Sequence, residues 1–346
     1  MKLLVTGGAG FIGSNFIRHW LSGHPQDQVR NLDRLTYAGN RTSLSDVEGR
    51  DRYRFLHGDI CDAPTVAQAM EGCEMVVHCA AETHVDRSIT DPAAFLRTNM
   101  EGTGRLLAEA RRHGVRRFVH VSTDEVYGPA LEGVAFREED PLTPTSPYAA
   151  SKAGADLLAQ AHFRTYGLPV IVARPTNNFG PFQFPEKLIP LFITNAMADE
   201  PLPVYGDGLQ RRNWLFVEDT CRALELLLQH GEPGGIYNVG SDSECSNRDI
   251  TQAILRALGK PQSLIQSVAD RPGHDRRYAV DCRRIQALGW EPKVAFDDAM
   301  PLTVRWYQAN RPWWQPLKDR LREDSYHWLH RSAGPPMVQA AGRPQG

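Results

Sequence analysis

Short apolar runs alternate with longer stretches of mixed character through the first half of the chain. The runs cover residues 2–6, 28–32, 53–57, 75–79, 117–122 and 169–173. Phe118-Val119-His120-Val121 and Val170-Ile171-Val172-Ala173 are almost continuously apolar, as strands covered on both faces should be. Between the runs, residues 11–21, 65–70, 98–112 and 148–165 space their apolar positions as amphipathic helices do. Strands alternating with helices predict an α/β fold on a doubly wound parallel sheet.

After residue 175 this regularity fades. Pro and Gly crowd in at Gly180-Pro181, Pro185, Pro190, Pro201, Pro203, Gly206 and Gly208. Helical spacing returns at residues 187–198, 219–229, 247–258 and 296–308. The expected organisation is a nucleotide-binding domain over 1–175, with returning pieces near 213–240, and a smaller interleaved C-terminal substrate domain over 176–320. Residues 321–346, rich in Gly, Pro and Ala from about Ser332, are expected to form a tail that is at least partly disordered.

Composition narrows the function. A chain of 346 residues is long enough for two domains, and 41% hydrophobic with 23% charged residues is ordinary for a globular enzyme. The formal net charge of −2 offers no bulk positive field for nucleic acid or an anionic membrane. No apolar stretch reaches the roughly 18 residues of a membrane span. The N-terminus has no signal-peptide layout, because Leu3-Leu4-Val5 leads straight into glycines. The six cysteines form no C-x-x-C pair, and no His cluster has zinc-ligand spacing. A reduced, metal-free, cytoplasmic protein is expected.

The strongest local signal is Thr6-Gly7-Gly8-Ala9-Gly10-Phe11-Ile12-Gly13, between a predicted strand and a predicted helix. Glycines at 7, 10 and 13 suit a tight turn, a backbone close to a pyrophosphate, and a helix N-terminus facing the anion. The spacing is G-x-x-G-x-x-G, not the more familiar G-x-G-x-x-G. Asp33 ends the second strand about 20 residues further on, where an acid binds the adenosine ribose. A carboxylate there favours NAD over NADP, and the neighbouring Arg34 works against that preference. Asp59 and Ile60 end the third strand and are expected to flank the adenine. Ala80 and Ala81 follow the fourth, where small residues let a cofactor lie close. The expected fold is therefore Rossmann-like.

Tyr148 and Lys152 stand four apart at the start of a predicted helix, so their side chains share a face. Removing a proton from a carbinol needs a base of lowered pKa. A nearby ammonium is expected to bring the phenol down from its ordinary value near 10 toward neutrality. The pair follows a strand ending in Ser122-Thr123-Asp124-Glu125, and open α/β sheets bind ligands at such carboxyl ends. Two adjacent carboxyls there are more than an alcohol oxidation requires. They suggest an acid and a base for a second step, against the plainer reading of a solvated turn.

Ser122-Thr123-Asp124-Glu125-Val126-Tyr127-Gly128 and Tyr148-Ala149-Ala150-Ser151-Lys152 closely resemble the dTDP-glucose 4,6-dehydratases, a family of the extended short-chain dehydrogenase/reductases. So do Leu35-Thr36-Tyr37-Ala38-Gly39-Asn40, residues 80–88, Pro185-Glu186-Lys187-Leu188-Ile189-Pro190 and residues 271–278. The likeness runs from residue 2 to about 318. It implies a redox-neutral cycle on bound NAD. Tyr148, helped by Lys152 and Thr123, deprotonates the C4 hydroxyl as hydride leaves C4; Glu125 takes the C5 proton; Asp124 protonates the departing C6 hydroxyl; hydride returns to C6. Tyr148 and Lys152 would also touch the cofactor.

The same likeness assigns the nucleotide-sugar substrate to the later residues. Asn177, Lys187, Arg212, Arg271 and His274 match positions near phosphate or sugar, and His84 lies in a matching block. Arg suits phosphate because its fork binds two oxygens at once. Glu186 and Leu188 match a segment lining the nucleotide pocket, Tyr205 could stack on the base, and Asn238 and Tyr278 are further candidates. Relatives pair through helices corresponding to 98–112 and the Tyr148 helix, so a homodimer is expected.

Five positions depart from the family pattern: Pro175, Thr176 and Phe179 in the stretch 174–180, Thr83 where Ser is usual, and Asn213 where Asp usually follows the Arg. Loss of a hydroxyl at Phe179 and of a charge partner for Arg212 would bear on which nucleotide and hexose are accepted. A dehydratase acting on UDP- or another NDP-hexose is one alternative. A 4-epimerase or decarboxylase is another, opposed by Asp124-Glu125, because those enzymes commonly carry Ser or Thr there. A non-catalytic NAD-sensing protein is opposed by the intact Tyr148, Lys152 and carboxyl pair.

Overall fold

A computed structural model describes residues 1–323. Six strands come early: β1 (Lys2–Thr6), β2 (Gln28–Asp33), β3 (Tyr53–His57), β4 (Met75–His78), β5 (Arg117–Val121) and β6 (Val170–Pro175). Six more are β7 (Asn177–Phe179), β8 (Leu202–Tyr205), β9 (Arg211–Phe216), β10 (Ile236–Val239), β11 (Glu244–Ser246) and β12 (Ile265–Val268). The main sheet has the order β10-β6-β5-β4-β1-β2-β3, and every pairing in it is parallel. The order reverses between β1 and β4, where a doubly wound sheet opens a crevice at its carboxyl edge. Every residue of β6 is buried, as its apolar run requires.

Helices cover both faces of the sheet. Phe16, Ile17 and Trp20 of the helix Phe11–Gly23 pack with Leu224, Leu227 and Leu228 of the helix Val217–His230 on one side. Leu106, Leu107 and Ala110 pack with Val66 and Ala69 on the other. A helix expected over 98–112 begins earlier. The chain turns helical at Pro92, passes through a π-helical stretch Leu96–Gly102, and becomes regular over Thr103–Arg112. The widened turn holds Asn99, whose amide bonds both the N–H and the carbonyl of Glu82 and the Ser151 hydroxyl. Apolar periodicity carries no sign of such a turn.

Two small sheets, β11-β9-β7 and β12-β8, lie beyond β6. They share an aromatic core: Phe179 lies 5.8 Å from Phe216, 5.4 Å from Phe296 and 6.3 Å from Trp214, ring to ring. The chain then closes with the helices Phe296–Ala309 and Arg311–Glu323. Residues 321–323 therefore belong to a helix with Leu321 buried, not to a tail. The rest of the expected tail lies outside the described residues. No helix among the described residues is long and apolar enough to cross a membrane.

Candidate active site

Two cavities meet at the carboxyl edge of the main sheet. The larger, of about 300 Å³, runs from Gly7, Gly10, Phe11, Ile12 and Gly13 past Asp33, Asp59, Ile60, Ala80 and Ala81 to Thr123, Asp124, Glu125, Tyr148 and Lys152. The smaller, of about 200 Å³, is lined by His84, Leu188, Tyr205, Arg212, Arg271, His274 and Tyr278. Glu125, Asn177, Glu186 and Lys187 border both. The structure thus gathers almost every residue expected at the site.

Asn238 is the exception. It sits on edge strand β10, fully buried, accepts from the Tyr127 hydroxyl at 2.8 Å, and donates to the carbonyls of Phe136 and Asp281. All its polar capacity is spent inside the fold, and it borders neither cavity.

The glycine turn is shaped for a flat anion. Gly7 has φ +69°, and a Cβ there would stand 2.5 Å from the backbone nitrogen of Ala80. Any side chain would therefore clash with the strand-end alanines that keep the floor low. Gly10 caps the helix Phe11–Gly23, whose first N–H groups have no partners within the helix and border the cavity. Asp33 accepts from the N–H groups of Ala9 and Leu35 at 2.9 and 2.8 Å. Burial pushes its carboxyl up, against those two bonds that favour the anion. Arg34 lies 3.3 Å from Asp59, which also holds Arg97. A glycine cradle, a helix N-terminus and a strand-end carboxylate form a donor set that fits NAD.

The reactive end is built from two elements. The helix Pro147–Tyr166 starts at Ser146, whose hydroxyl accepts from the Ala149 N–H, with Pro147 in the first turn. It brings Tyr148 and Lys152 to one face, both buried. The 3₁₀ turn Asp124–Tyr127 follows Thr123, whose hydroxyl accepts from the Glu125 N–H. Thr123 lines the same cavity as the phenol.

Burial pushes the Asp124 carboxyl up to about 7, helped by the charge of Glu125. Its Oδ2 is buried with no hydrogen-bond partner. Burial also raises Glu125, but Arg271, Arg212 and Lys187 oppose this and favour its anion. Burial brings Lys152 down to about 8, against the pull of Asp156. The Tyr148 phenol departs from the sequence expectation. It lies well above its ordinary value, first because it is buried and then because Glu125 and Asp124 repel a phenolate. The Lys152 ammonium donates to the Val121 carbonyl instead.

On the second cavity, Arg271 pairs with Asp86 at 2.9 Å. Arg212 donates to the carbonyls of Arg211 and Asp275 and lies over the Tyr278 ring. Asn213 is therefore not a missing partner of Arg212. Successive strand residues face opposite ways, and Asn213 instead accepts from the Ser241 N–H and the Thr176 hydroxyl. Phe179 is likewise core, fully buried away from both cavities. Of the departures, Pro175, Thr176 and Thr83 do border the site.

Gln183 and Phe184, in irregular backbone, and Trp214, on β9, also stand at the cavity walls without a mark in the sequence pattern. Asp156, absent from the expected site, is buried behind Lys152 and paired with Arg174 at 2.9 Å. The spacing 148, 152, 156 on one helix is its visible signal.

Comparison with known proteins agrees with this geometry. The family model described as GDP-mannose 4,6 dehydratase matches residues 4–303. A dTDP-glucose 4,6-dehydratase of Streptomyces niveus is 52% identical, over 92% of this chain and 96% of its own. The crystal structure of DesIV, a dTDP-glucose 4,6-dehydratase from Streptomyces venezuelae solved with NAD bound, has a TM-score of 0.90 and 52% identity, covering 92% of this chain and 100% of that one. A Thermus thermophilus UDP-glucose 4-epimerase in complex with NAD has a TM-score of 0.84 but 32% identity, over 90% of this chain and 100% of that one. The scaffold is thus shared with epimerases, while the sequence lies nearer the dehydratases. By its sequence, its sheet and its paired carboxyls, this chain belongs to the dTDP-glucose 4,6-dehydratase family.

Proposed function

We propose that the protein dehydrates a nucleotide-linked hexose, dTDP-glucose, to the 4-keto-6-deoxy sugar. One observation carries the reading: Asp124 and Glu125 stand beside Tyr148 where the two cavities join, in surroundings that separate their acidities. A plain dehydrogenase or an epimerase has no use for such a pair.

The cavity from Gly7 to Ala81 would hold NAD, with Asp33 on the ribose, and bound NAD supplies hydride uptake at C4 and hydride return at C6. Tyr148 Oη, as the phenolate that Lys152 and the positive ring of bound NAD would favour, takes the proton of the C4 hydroxyl, with Thr123 beside it in the same cavity. Lys152, tied to Val121, supplies the nearby positive charge that the step needs. The C4 ketone acidifies the C5 proton, and Glu125, favoured as an anion by Arg271, Arg212 and Lys187, removes it and returns it to C5 when hydride adds at C6. Asp124, neutral up to about pH 7, gives its proton to the C6 oxygen as water departs. Two carboxyls with opposite tasks need environments that separate them, and these have them.

Arg212, Arg271, His274 and Lys187 would carry the diphosphate, and Tyr205 the base. The division into a cofactor domain over 1–175 and a substrate domain over 176–320 belongs to this reading. So does a cytoplasmic setting, consistent with six free cysteines. A homodimer through the helices around 98–112 and 147–166 is supported by exposed Leu96 and Leu157; a monomeric mass in solution would exclude it.

The test is to incubate the purified protein, without added cofactor, with dTDP-glucose and separately with UDP-glucose. Mass spectrometry showing loss of one water from dTDP-glucose alone is the expected result. Loss from UDP-glucose alone would reassign the nucleotide. An unchanged mass with an inverted C4 centre would move the assignment to an epimerase.

A further inference from the structure

The wall of the larger cavity around Asp33 is tied at its ends, by the Leu35 N–H on Asp33 and the Asn40 N–H on the Ala9 carbonyl. It is the loop Leu35–Asn40, of which Thr36, Ala38 and Gly39 border the cavity. The loop is tight. Leu35 has φ +55° without being glycine, and a Cβ on Gly39 would stand 2.9 Å from the Leu35 Cα. A conformation of this kind persists only where surrounding structure over-determines it.

Beyond those two bonds and Arg87 over the Tyr37 ring, that surrounding structure is the helix Arg311–Glu323. Leu317 and Leu321, both buried, pack with Phe184 against Tyr37, Ala38 and Trp313. The Trp313 indole N–H reaches the Ser43 hydroxyl at 3.2 Å. Phe184 itself borders the cavity, and its neighbour Gln183 is held through its carbonyl by the Tyr307 hydroxyl. Both segments that close the cavity over Asp33 are thus pinned from the C-terminal end of the chain. Without the helix, Tyr37 and Phe184 would face water and the loop would lose its apolar anchor.

We infer that the helix Arg311–Glu323 is a clasp, and that Leu317, Leu321 and Trp313 are positioning residues that slow the departure of the dinucleotide. The inference rests on the reading of the larger cavity as the NAD site. It also gives the clasp a purpose. In a cycle that takes hydride from one carbon and returns it to another, a cofactor lost midway strands the intermediate, so slow release is worth building.

The test compares the full chain with Leu317→Ala/Leu321→Ala, with the volume-conserving Leu317→Met/Leu321→Met, and with Trp313→Phe. Each is loaded with NAD, passed into excess labelled NAD, and sampled for the original cofactor by chromatography. Amide hydrogen exchange is followed over residues 35–44 and over β5 and β6. The alanine pair is expected to release NAD at least tenfold faster, with faster exchange confined to residues 35–44. The methionine pair should restore slow release, and Trp313→Phe should lie between. Unchanged release in a folded alanine pair would overturn the clasp, and so would exchange accelerated equally in β5 and β6. Failure of the unaltered protein to bind NAD at all would overturn the cofactor reading along with it.

Discussion

The ammonium of Lys152 donates to the main-chain carbonyl of Val121 at 2.7 Å, and so ties the helix of Tyr148 to the strand end from which Thr123, Asp124 and Glu125 follow. One hydrogen bond therefore joins the two halves of the catalytic group. It also places the positive charge near the phenol without spending it on a direct bond. Tyr148→Phe should lower turnover by about 100- to 10,000-fold, the usual contribution of a positioned base, and leave NAD binding unchanged. Lys152→Met should lose a comparable factor and also disturb the register between helix and strand. Rapid-quench single turnovers, with NAD content measured separately, check both. Near-normal turnover in Tyr148→Phe would remove the phenol from the mechanism.

Asp124→Asn should separate activity from stability. Burial, aided by the charge of Glu125, pushes the carboxyl up to about 7. The folded state therefore holds a proton there that the unfolded chain, near 4, gives up. Stability from this group is fully present below about pH 4 and is lost as pH rises through 7. The uncharged amide should match the wild type at low pH and be more stable at pH 8, by on the order of 4 kcal/mol. Elimination should slow sharply while oxidation at C4 still proceeds, so reduced cofactor should accumulate at the stalled step. Thermal melts across pH and absorbance of the reduced cofactor read the two effects. Unaltered overall turnover would sink the acid assignment.

Much of this was legible in the chain. The strands of the main sheet announced themselves as apolar runs because both faces of a doubly wound sheet are covered. Asp33, Tyr148, Lys152, Asp124 and Glu125 were legible because chemistry fixes their places at strand ends and on the following helix. What periodicity could not show was where a polar side chain spends its hydrogen bonds. Asn238 had the right chemistry for a ligand and proved to satisfy Tyr127, Phe136 and Asp281. Asn213 stands where the family has an Asp, yet in a strand its side chain leaves on the face away from Arg212. The walls of Gln183 and Phe184 sit in irregular backbone, where no repeat marks an inward residue.

Asn238→Ala tests that distinction. The substitution removes the acceptor of the buried Tyr127 hydroxyl, which keeps Arg174 as a donor, and takes one donor from the carbonyl of Phe136, which keeps the Asp281 N–H, and one from the carbonyl of Asp281. The cost should be about 1–3 kcal/mol of folding stability. Substrate KM should stay within a factor of two or so of wild type once the protein is folded, since each 1.4 kcal/mol of lost contact would show as tenfold. Denaturant titration and steady-state kinetics measure the two. A large rise in KM with unchanged stability would return Asn238 to the substrate site.

Phe179→Tyr addresses the sequence departure that pointed most directly at specificity. The family hydroxyl at this position would matter to substrate choice only if it reached the sugar. Here the ring is fully buried among Trp214, Phe216 and Phe296, and the residue borders neither cavity. A hydroxyl placed in that cluster must find a partner or remain unbonded, and an unbonded buried hydroxyl costs about 1–3 kcal/mol. Added bulk in a filled aromatic core adds to the strain. The expected result is a lower melting temperature with an unchanged ratio of kcat/KM for dTDP- over UDP-glucose. A changed ratio would mean that the turn Gly180–Pro181 relays the substitution into the cavity. Pro175 and Thr83 border that cavity directly, so Pro175→Thr and Thr83→Ser are the substitutions in which a shift of nucleotide preference should appear.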